Sequence, residues 1–276
     1  MPNDSYQSTP RVPAAKSRDL SVSELKEMAK ELRRHVITMI AAAASGHPGG
    51  SLSAADIVAA LYFKVLRHNP EDPQWPDRDR FLLSKGHASP ILYAALAESG
   101  YFPVEELATL RKLDSRLQGH ADRNFTPGVE MSAGSLGMGL SFGIGIALAA
   151  RLDSKDYRTY VLLGDGECDE GQTWEAVLAA AQFKIDNLVA IVDLNRLQLT
   201  GPTREIMNLE PFAQKWQAFG WHAIEIDGHS MEQILQALEE ARTVKGKGVS
   251  FMENNADFHG KAPSAEEAER ALKELA

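Results

Sequence analysis

An α/β fold, a parallel sheet flanked by helices, is the architecture this sequence predicts, and three observations carry it. Short apolar runs alternate with helix-like stretches along the chain. The runs are apolar at consecutive positions rather than alternate ones, which marks strands covered on both faces and hence parallel pairing. The stretch Tyr160–Thr200 reads strand, glycine turn, helix, strand, a unit whose crossover brings the carboxyl ends of both strands to one edge.

The elements follow in order. Residues 1–19, with three prolines among small polar residues, read as a disordered leader. Ser21 and Glu24 have capping-box spacing before a helix whose face carries Leu25, Leu32, Val36 and Met39. Gly46 is expected to stop it, and Ser45–Gly50 to form an irregular loop. Ser53 and Asp56 repeat the capping spacing ahead of a helix with Ile57, Leu61 and Val65 on one face. Phe81–Ser84 is a short strand with Lys85-Gly86-His87 at its carboxyl end. Ser89-Pro90 caps a helix that ends at Gly100, and Glu105–Leu113 is predicted helical, followed by a loop bearing Gly119-His120. The turn Gly134-Ser135-Leu136-Gly137 leads into an uncharged helix. After the second strand of the central unit, Leu188–Val192, come a helix at Pro211–Phe219 closed by Gly220 and a strand at Trp221–Ile226. A helix capped by Ser230 and Gln233 and a last strand at Gly248–Glu253 complete the alternation. One domain over residues 20–263 is expected, with Ser264–Ala276 a charged helical tail that Ser264 and Glu267 cap.

Composition narrows the class of protein. A net charge of −9 argues against a nucleic-acid partner. Cys168 is the lone cysteine, so an intramolecular disulfide is impossible and a reducing, cytoplasmic setting fits. Its neighbours Glu167 and Asp169 are expected to raise its pKa, which favours packing over reactivity. Met131–Ala150 carries no charge, but five glycines and three serines dilute it, so a buried helix is expected there and no membrane span.

The chemistry gathers in the central unit. Asp165 follows the first strand and Asn195 the second, which makes them neighbours, and their oxygens suit a hard cation such as Mg²⁺ or Ca²⁺ with positions left for phosphate. Gly164 and Gly166 allow a close backbone approach, and the helix that follows offers its N-terminus to an anion. An EF-hand loop starting at Asp165 fails, because its sixth and twelfth positions are Glu170 and Ala176. A phosphate loop of the Walker type lacks its lysine and hydroxyl, and the glycine spacing breaks a dinucleotide fingerprint. Four histidines, His47, His87, His120 and His259, sit in glycine-bearing loops. His87 is placed at the ligand-binding edge of the sheet, where histidines can hold phosphate oxygens, bind hydroxyls and move protons near neutral pH.

Gly164-Asp165-Gly166 followed about thirty residues later by Asn195 resembles the thiamine diphosphate motif. ASGHPGGSLSAADI, LSKGHASPILYAAL, LQGHAD, AGSLGMGLSFGIGIALA and DFHGKAP resemble the cofactor-binding half of transketolase. The resemblance covers Leu20 to Pro263 and implies a thiamin diphosphate-binding fold. It implies that Asp165, Asn195 and the main-chain oxygen of Leu197 hold Mg²⁺ or Ca²⁺. Gly164 and Gly166 then face the diphosphate, with His87 and His259 on its oxygens, and Gly134 and Leu136 line the aminopyrimidine. His47 and His120 meet the donor sugar. Glu170 falls at a subunit-interface position. A full-length transketolase continues into a pyrimidine-binding and a C-terminal domain. The expectation is therefore an N-terminal subunit of a split transketolase, completed by a partner chain as an α₂β₂ assembly and acting on sugar phosphates. Asp193-Leu194-Asn195 departs from the adjacent asparagines of many relatives. Three other readings stand beside this one: the α subunit of a 2-oxo acid dehydrogenase, an enzyme for another sugar phosphate or a sulfosugar, and a binding module that has lost its chemistry. The histidine loops favour transketolase over the second enzyme, and the retained motif residues favour an enzyme over a module.

Overall fold

The computed structural model describes residues 19–241 and 264–274. Residues 1–18 of the leader, the strand expected at Gly248–Glu253 and His259 lie outside the described residues. The chain divides into two compact units between Ile234 and Leu235.

Helix α1 (Val22–Ala43) opens as predicted. Ser21 Oγ accepts the Glu24 amide, and Glu24 Oε2 accepts the Ser21 amide at 2.8 Å. It closes on Ala44 in the left-handed conformation (φ 47°), two residues before Gly46. The expected loop Ser45–Gly50 is instead interrupted by α2 (Pro48–Ser53), because Pro48 supplies a helical φ at a first-turn position where no amide is needed. Ser53 does not cap the next helix, α3 (Ala55–Ala60), which continues through a π turn over Leu61–Val65. Its hydroxyl donates to Asp193 and to Gly50 O, and Asp56 pairs with Arg33. The tertiary partners outcompete the local cap.

The sheet is parallel in the order β1 (Arg80–Leu83), β2 (Thr159–Gly164), β3 (Leu188–Asp193). Its register pairs Leu82 with Val161, Leu162 with Ile191 and Gly164 with Asp193. Leu82, Val161 and Leu163 point to one face, against Leu140, Ile144 and Ala147 of α5 (Gly139–Leu152) and Ala176 and Val177 of α6 (Gly171–Gln182). Burying each such leucine or valine contributes about 1.5–3 kcal/mol before entropy is counted. Phe81 points the other way, edge-to-face with Tyr62 at 5.6 Å, which brings the continuation of α3 to the second face. Both faces of the strands are thus apolar, as the uninterrupted hydrophobic runs require.

The uncharged segment forms α5, fourteen residues long, and no helix among the described residues is long and apolar enough to cross a membrane. Its glycines set its distance from the sheet: a Cβ at Gly143 would lie 2.6 Å from Val161 Cγ2. Helix α4 (Ser89–Ser99) ends at Gly100 (φ 95°) as predicted, but Ser89 lies inside its first turn and donates to Gly119 O at 2.9 Å rather than capping it.

One predicted helix is shorter and tighter than expected. Glu105–Leu113 is a 3₁₀ turn over Val104–Thr109, since Arg111 and Asp114 adopt positive φ (59° and 63°) and Leu113 is left exposed. Trp221–Ile226 joins no ladder among the described residues, and the strand expected at Gly248–Glu253 lies outside them. Trp221 docks on the neighbouring elements, donating to Val177 O at 2.9 Å and meeting the Trp216 ring at 5.2 Å. A hairpin of β4 (Leu197–Gln198) and β5 (Gly201–Pro202) follows β3 and leads into α7 (Thr203–Ile206) and α8 (Phe212–Ala218). Helix α9 (Met231–Glu240) begins at Ser230, whose Oγ accepts the Gln233 amide. In the second unit α10 (Ala265–Glu274) starts with the expected reciprocal Ser264–Glu267 bonds, 2.8 and 3.2 Å.

Candidate active site

Parallel pairing fixes the floor of the site. The carboxyl ends of β1, β2 and β3 lie at one edge, so Lys85-Gly86-His87, Gly164-Asp165-Gly166 and Asp193-Leu194-Asn195 emerge side by side, and the Asp165 amide donates to Asp193 O at 3.2 Å.

Asp165 is buried at 2 % exposure, and its carboxylate accepts main-chain N–H bonds from Gly166 (2.9 Å) and Arg196 (2.6 Å). Burial nevertheless raises its pKa above the usual value, and the neighbouring Asp193 charge adds to the rise. No ion pair compensates it among the described residues. Asn195 Oδ1 accepts the Leu197 amide at 3.0 Å, and the exposed Leu197 begins β4. No group of three or more His, Cys, Asp or Glu side chains among the described residues forms a metal cluster. One carboxylate, one amide oxygen and a main-chain oxygen suit a hard cation that keeps most of its positions for water and phosphate.

Three of the four predicted histidines come together. The His47 and His87 rings meet edge-on at 5.4 Å. His87 is depressed to a pKa of about 4, first by burial, then by Lys85, His47 and His120. His120 is lowered first by partial desolvation, then by Arg111 and His47. His87 and His120 are therefore neutral at pH 7, each able to donate through one nitrogen and accept through the other. The sign of the linkage is testable in the ligand-free protein. The unfolded chain protonates His87 near pH 6.5 and the folded chain only near 4, so stability is lost as pH falls through that window. Urea midpoints at pH 7 and 4.5 should converge in H87N relative to the unaltered chain, by about 1–3 kcal/mol.

Gly134 and Leu136 stand on the loop before α5, with open space around the Gly134 Cα and Leu136 partly exposed. Gly137 has φ 80°, a conformation costly for other residues, and a Cβ there would lie 2.8 Å from Glu170 Cβ. Gly166 likewise lacks room for a Cβ, which would meet Gln198 Cγ at 2.8 Å. Cys168 is fully buried, donating weakly to Gly164 O, and burial followed by the charge of Glu167 pushes its thiol far up, which makes it an inert core group.

The residues that hold this edge together escaped the sequence reading. Lys85, 1 % exposed, donates to Asp193 and to Gly50 O (2.7 Å), tying the loop of His47 to the end of β3. Asp193, the position of the Asp-Leu-Asn departure, is thus the counter-ion of a buried lysine. Glu167, 3 % exposed, accepts from Ser84 Oγ, Gly137 N (2.9 Å) and Gly164 N (3.1 Å), and burial raises its pKa. A lysine between a strand and a histidine loop was a visible signal, but its partner is 108 residues away.

These features define a parallel α/β domain that gathers glycine turns, carboxylates and histidines at the carboxyl ends of its strands. Residues 24–271 match the family described as transketolase, thiamine diphosphate binding domain. The chain is 43% identical over 264 residues to the 6-deoxy-6-sulfo-D-fructose transketolase subunit SqwG of Clostridium sp. (strain MSTE9), covering 91% of this chain and 96% of that one. It is 42% identical to an apulose-4-phosphate transketolase subunit of Phocaeicola vulgatus, covering 93% and 95%. Transketolase of Homo sapiens is 43% identical, with 91% of this chain matched to 42% of that protein. Among solved structures, the transketolase of Campylobacter jejuni superposes with a TM-score of 0.76 at 34% identity, over 92% of this chain and 43% of that one. The chain spans well under half of the solved transketolases it matches, and nearly all of the two subunit relatives. The chain belongs to the transketolase family, as its thiamine diphosphate binding, N-terminal part.

Proposed function

We propose that this chain is the cofactor-binding subunit of a two-chain transketolase. With a partner carrying the pyrimidine-binding domain, it moves a two-carbon ketol unit from a ketose phosphate to an aldose phosphate. The single observation that carries the reading is the convergence of His47, His87 and His120 at the strand-end edge that also holds a buried Asp165 with no cationic partner among the described residues. A desolvated carboxylate of this kind fits Mg²⁺ or Ca²⁺, and in this reading Asp165, Asn195 and the Leu197 carbonyl hold the ion. When bound, thiamine diphosphate supplies a stabilised carbanion centre for breaking and making a bond next to a carbonyl.

The chain's own residues do the rest. The Gly164 and Gly166 backbone lies against the diphosphate, and neutral His87 donates to its oxygens, with His259 as a second donor. Gly134 and Leu136 line the aminopyrimidine. His47 and His120 hold the donor's hydroxyls, and a neutral His120 can take up and return a proton as the carbonyl reacts. Residues 20–263 form the working domain, Glu170 faces a neighbouring subunit in an α₂β₂ assembly, and a lone buried thiol suits the cytoplasm. The two subunit relatives are named for a sulfosugar and for apulose-4-phosphate, which supports an uncommon sugar beside the pentose phosphates as donor.

The test is ketol transfer with thiamine diphosphate and Mg²⁺, by the chain alone and mixed with a chain bearing the pyrimidine domain. Activity is expected only from the mixture. Full turnover by the isolated chain overturns the two-chain reading, and pyruvate decarboxylation without ketol transfer overturns the transketolase assignment.

A further inference from the structure

Glu167 touches three of the segments from which the site is built. Its Oε1 accepts from the Ser84 hydroxyl, at the end of β1 beside Lys85-Gly86-His87, and from the Gly137 amide at 2.9 Å, at the close of the Gly134–Leu136 loop. Its Oε2 accepts the Gly164 amide at 3.1 Å, one residue before Asp165. The carboxylate is 3 % exposed, so these donors rather than water satisfy it. The left-handed Gly137 is held from its other side by Glu170 and Thr173, since a Cβ there would lie 2.8 and 3.4 Å from them. The loop therefore packs against Glu170 and Thr173 and, among the described residues, is anchored at the Gly137 amide by Glu167.

Resting on the reading of the site given above, we propose that Glu167 is a positioning residue, which sets the aminopyrimidine-lining loop at a fixed height over the strand ends without itself touching cofactor. Only a carboxylate serves there. Glutamine has the same shape but one acceptor oxygen, so one of the Gly137 and Gly164 amides must face an NH₂ group and lose its bond. The loop and the diphosphate cradle then no longer share an anchor, and a ligand that spans both is more affected than one that uses the cradle alone.

The experiment uses the full chain with its partner, titrated calorimetrically with thiamine diphosphate and, separately, with inorganic diphosphate, both in excess Mg²⁺. E167Q should weaken thiamine diphosphate by about tenfold, the loss of one hydrogen bond to a charged group, and inorganic diphosphate by no more than about twofold on the same scale. Hydrogen exchange of the Gly137 amide should quicken in E167Q before any ligand is added. Equal weakening of both ligands, or a lowered melting temperature with both affinities unchanged, overturns the proposal by assigning Glu167 a structural role alone. If E167Q does not fold, S84A removes one donor and keeps the carboxylate. It should show the same selective loss at about threefold, and an unchanged affinity there overturns the proposal. Failure of the unaltered pair to bind thiamine diphosphate at all removes the underlying reading and the proposal with it, a result distinct from every E167Q outcome.

Discussion

Asp165→Asn is expected to abolish metal-dependent cofactor binding while leaving the ligand-free chain about as stable as before. Both halves of the result follow from the same burial. The carboxylate is 2 % exposed and raised in pKa by desolvation, with main-chain N–H groups as its hydrogen-bond partners. Replacing it by an amide removes an unfavourable buried charge and costs one N–H acceptor, terms of opposite sign that should cancel to within about 1 kcal/mol. A divalent cation, in contrast, loses its only anionic protein ligand in the site as read, and thiamine diphosphate affinity in Mg²⁺ should fall by at least about 100-fold, or ~2.7 kcal/mol. Thermal unfolding reads both at once. The unaltered chain with its partner should melt higher with Mg²⁺ and thiamine diphosphate, by the equivalent of about 2.7 kcal/mol at a hundred times the dissociation constant, and fall back with a chelator. D165N should show no such rise. A ligand-induced rise that survives the substitution would move the cation elsewhere.

The second large effect belongs to the buried Lys85–Asp193 pair. Lys85 and Asp193 are 1% and 9% exposed at the side chain, and Lys85→Met leaves a buried carboxylate without its counter-ion. Breaking such a pair from one side costs about 3–5 kcal/mol. Ser53 still donates to Asp193, but a hydroxyl does not replace the ammonium charge. The loop of His47 also loses the bond from Lys85 to Gly50 O. Urea unfolding should show the loss for K85M and recovery of more than half of it in K85M/D193N, because the orphaned charge is gone. A cost below about 1 kcal/mol for K85M would mean that water reaches Asp193 and that the pair behaves as a surface one.

Much of the candidate site was legible because its residues lie in short contiguous motifs. Asp165 and Asn195 follow strands whose apolar runs and crossover helix are periodic enough to place, and parallel pairing then brings them together. The histidine loops were legible as motifs, and the meeting of His47 and His87 required only that α2 pack near the end of β1. What escaped were side chains whose partners are remote. Ser53 and Ser89 carry capping spacing yet bond to Asp193 and to Gly119 O, because a buried tertiary acceptor outweighs the modest worth of a cap. Glu167 looked like a neighbour of Cys168 and is an anchor for three backbone segments.

The sequence by itself determined the parallel α/β architecture, the edge at which the ligand is read to sit, and the residue types gathered there. These follow from local periodicity and from the chemistry of short motifs. Tertiary structure alone decided that Trp221 docks on Val177 O, that Asp193 neutralises Lys85, and that one glutamate ties the loop of Gly134 to the strand ends. Each of these turns on which groups are left to share a buried position once the helices have packed, and desolvation makes that a property of the whole fold rather than of any stretch of chain.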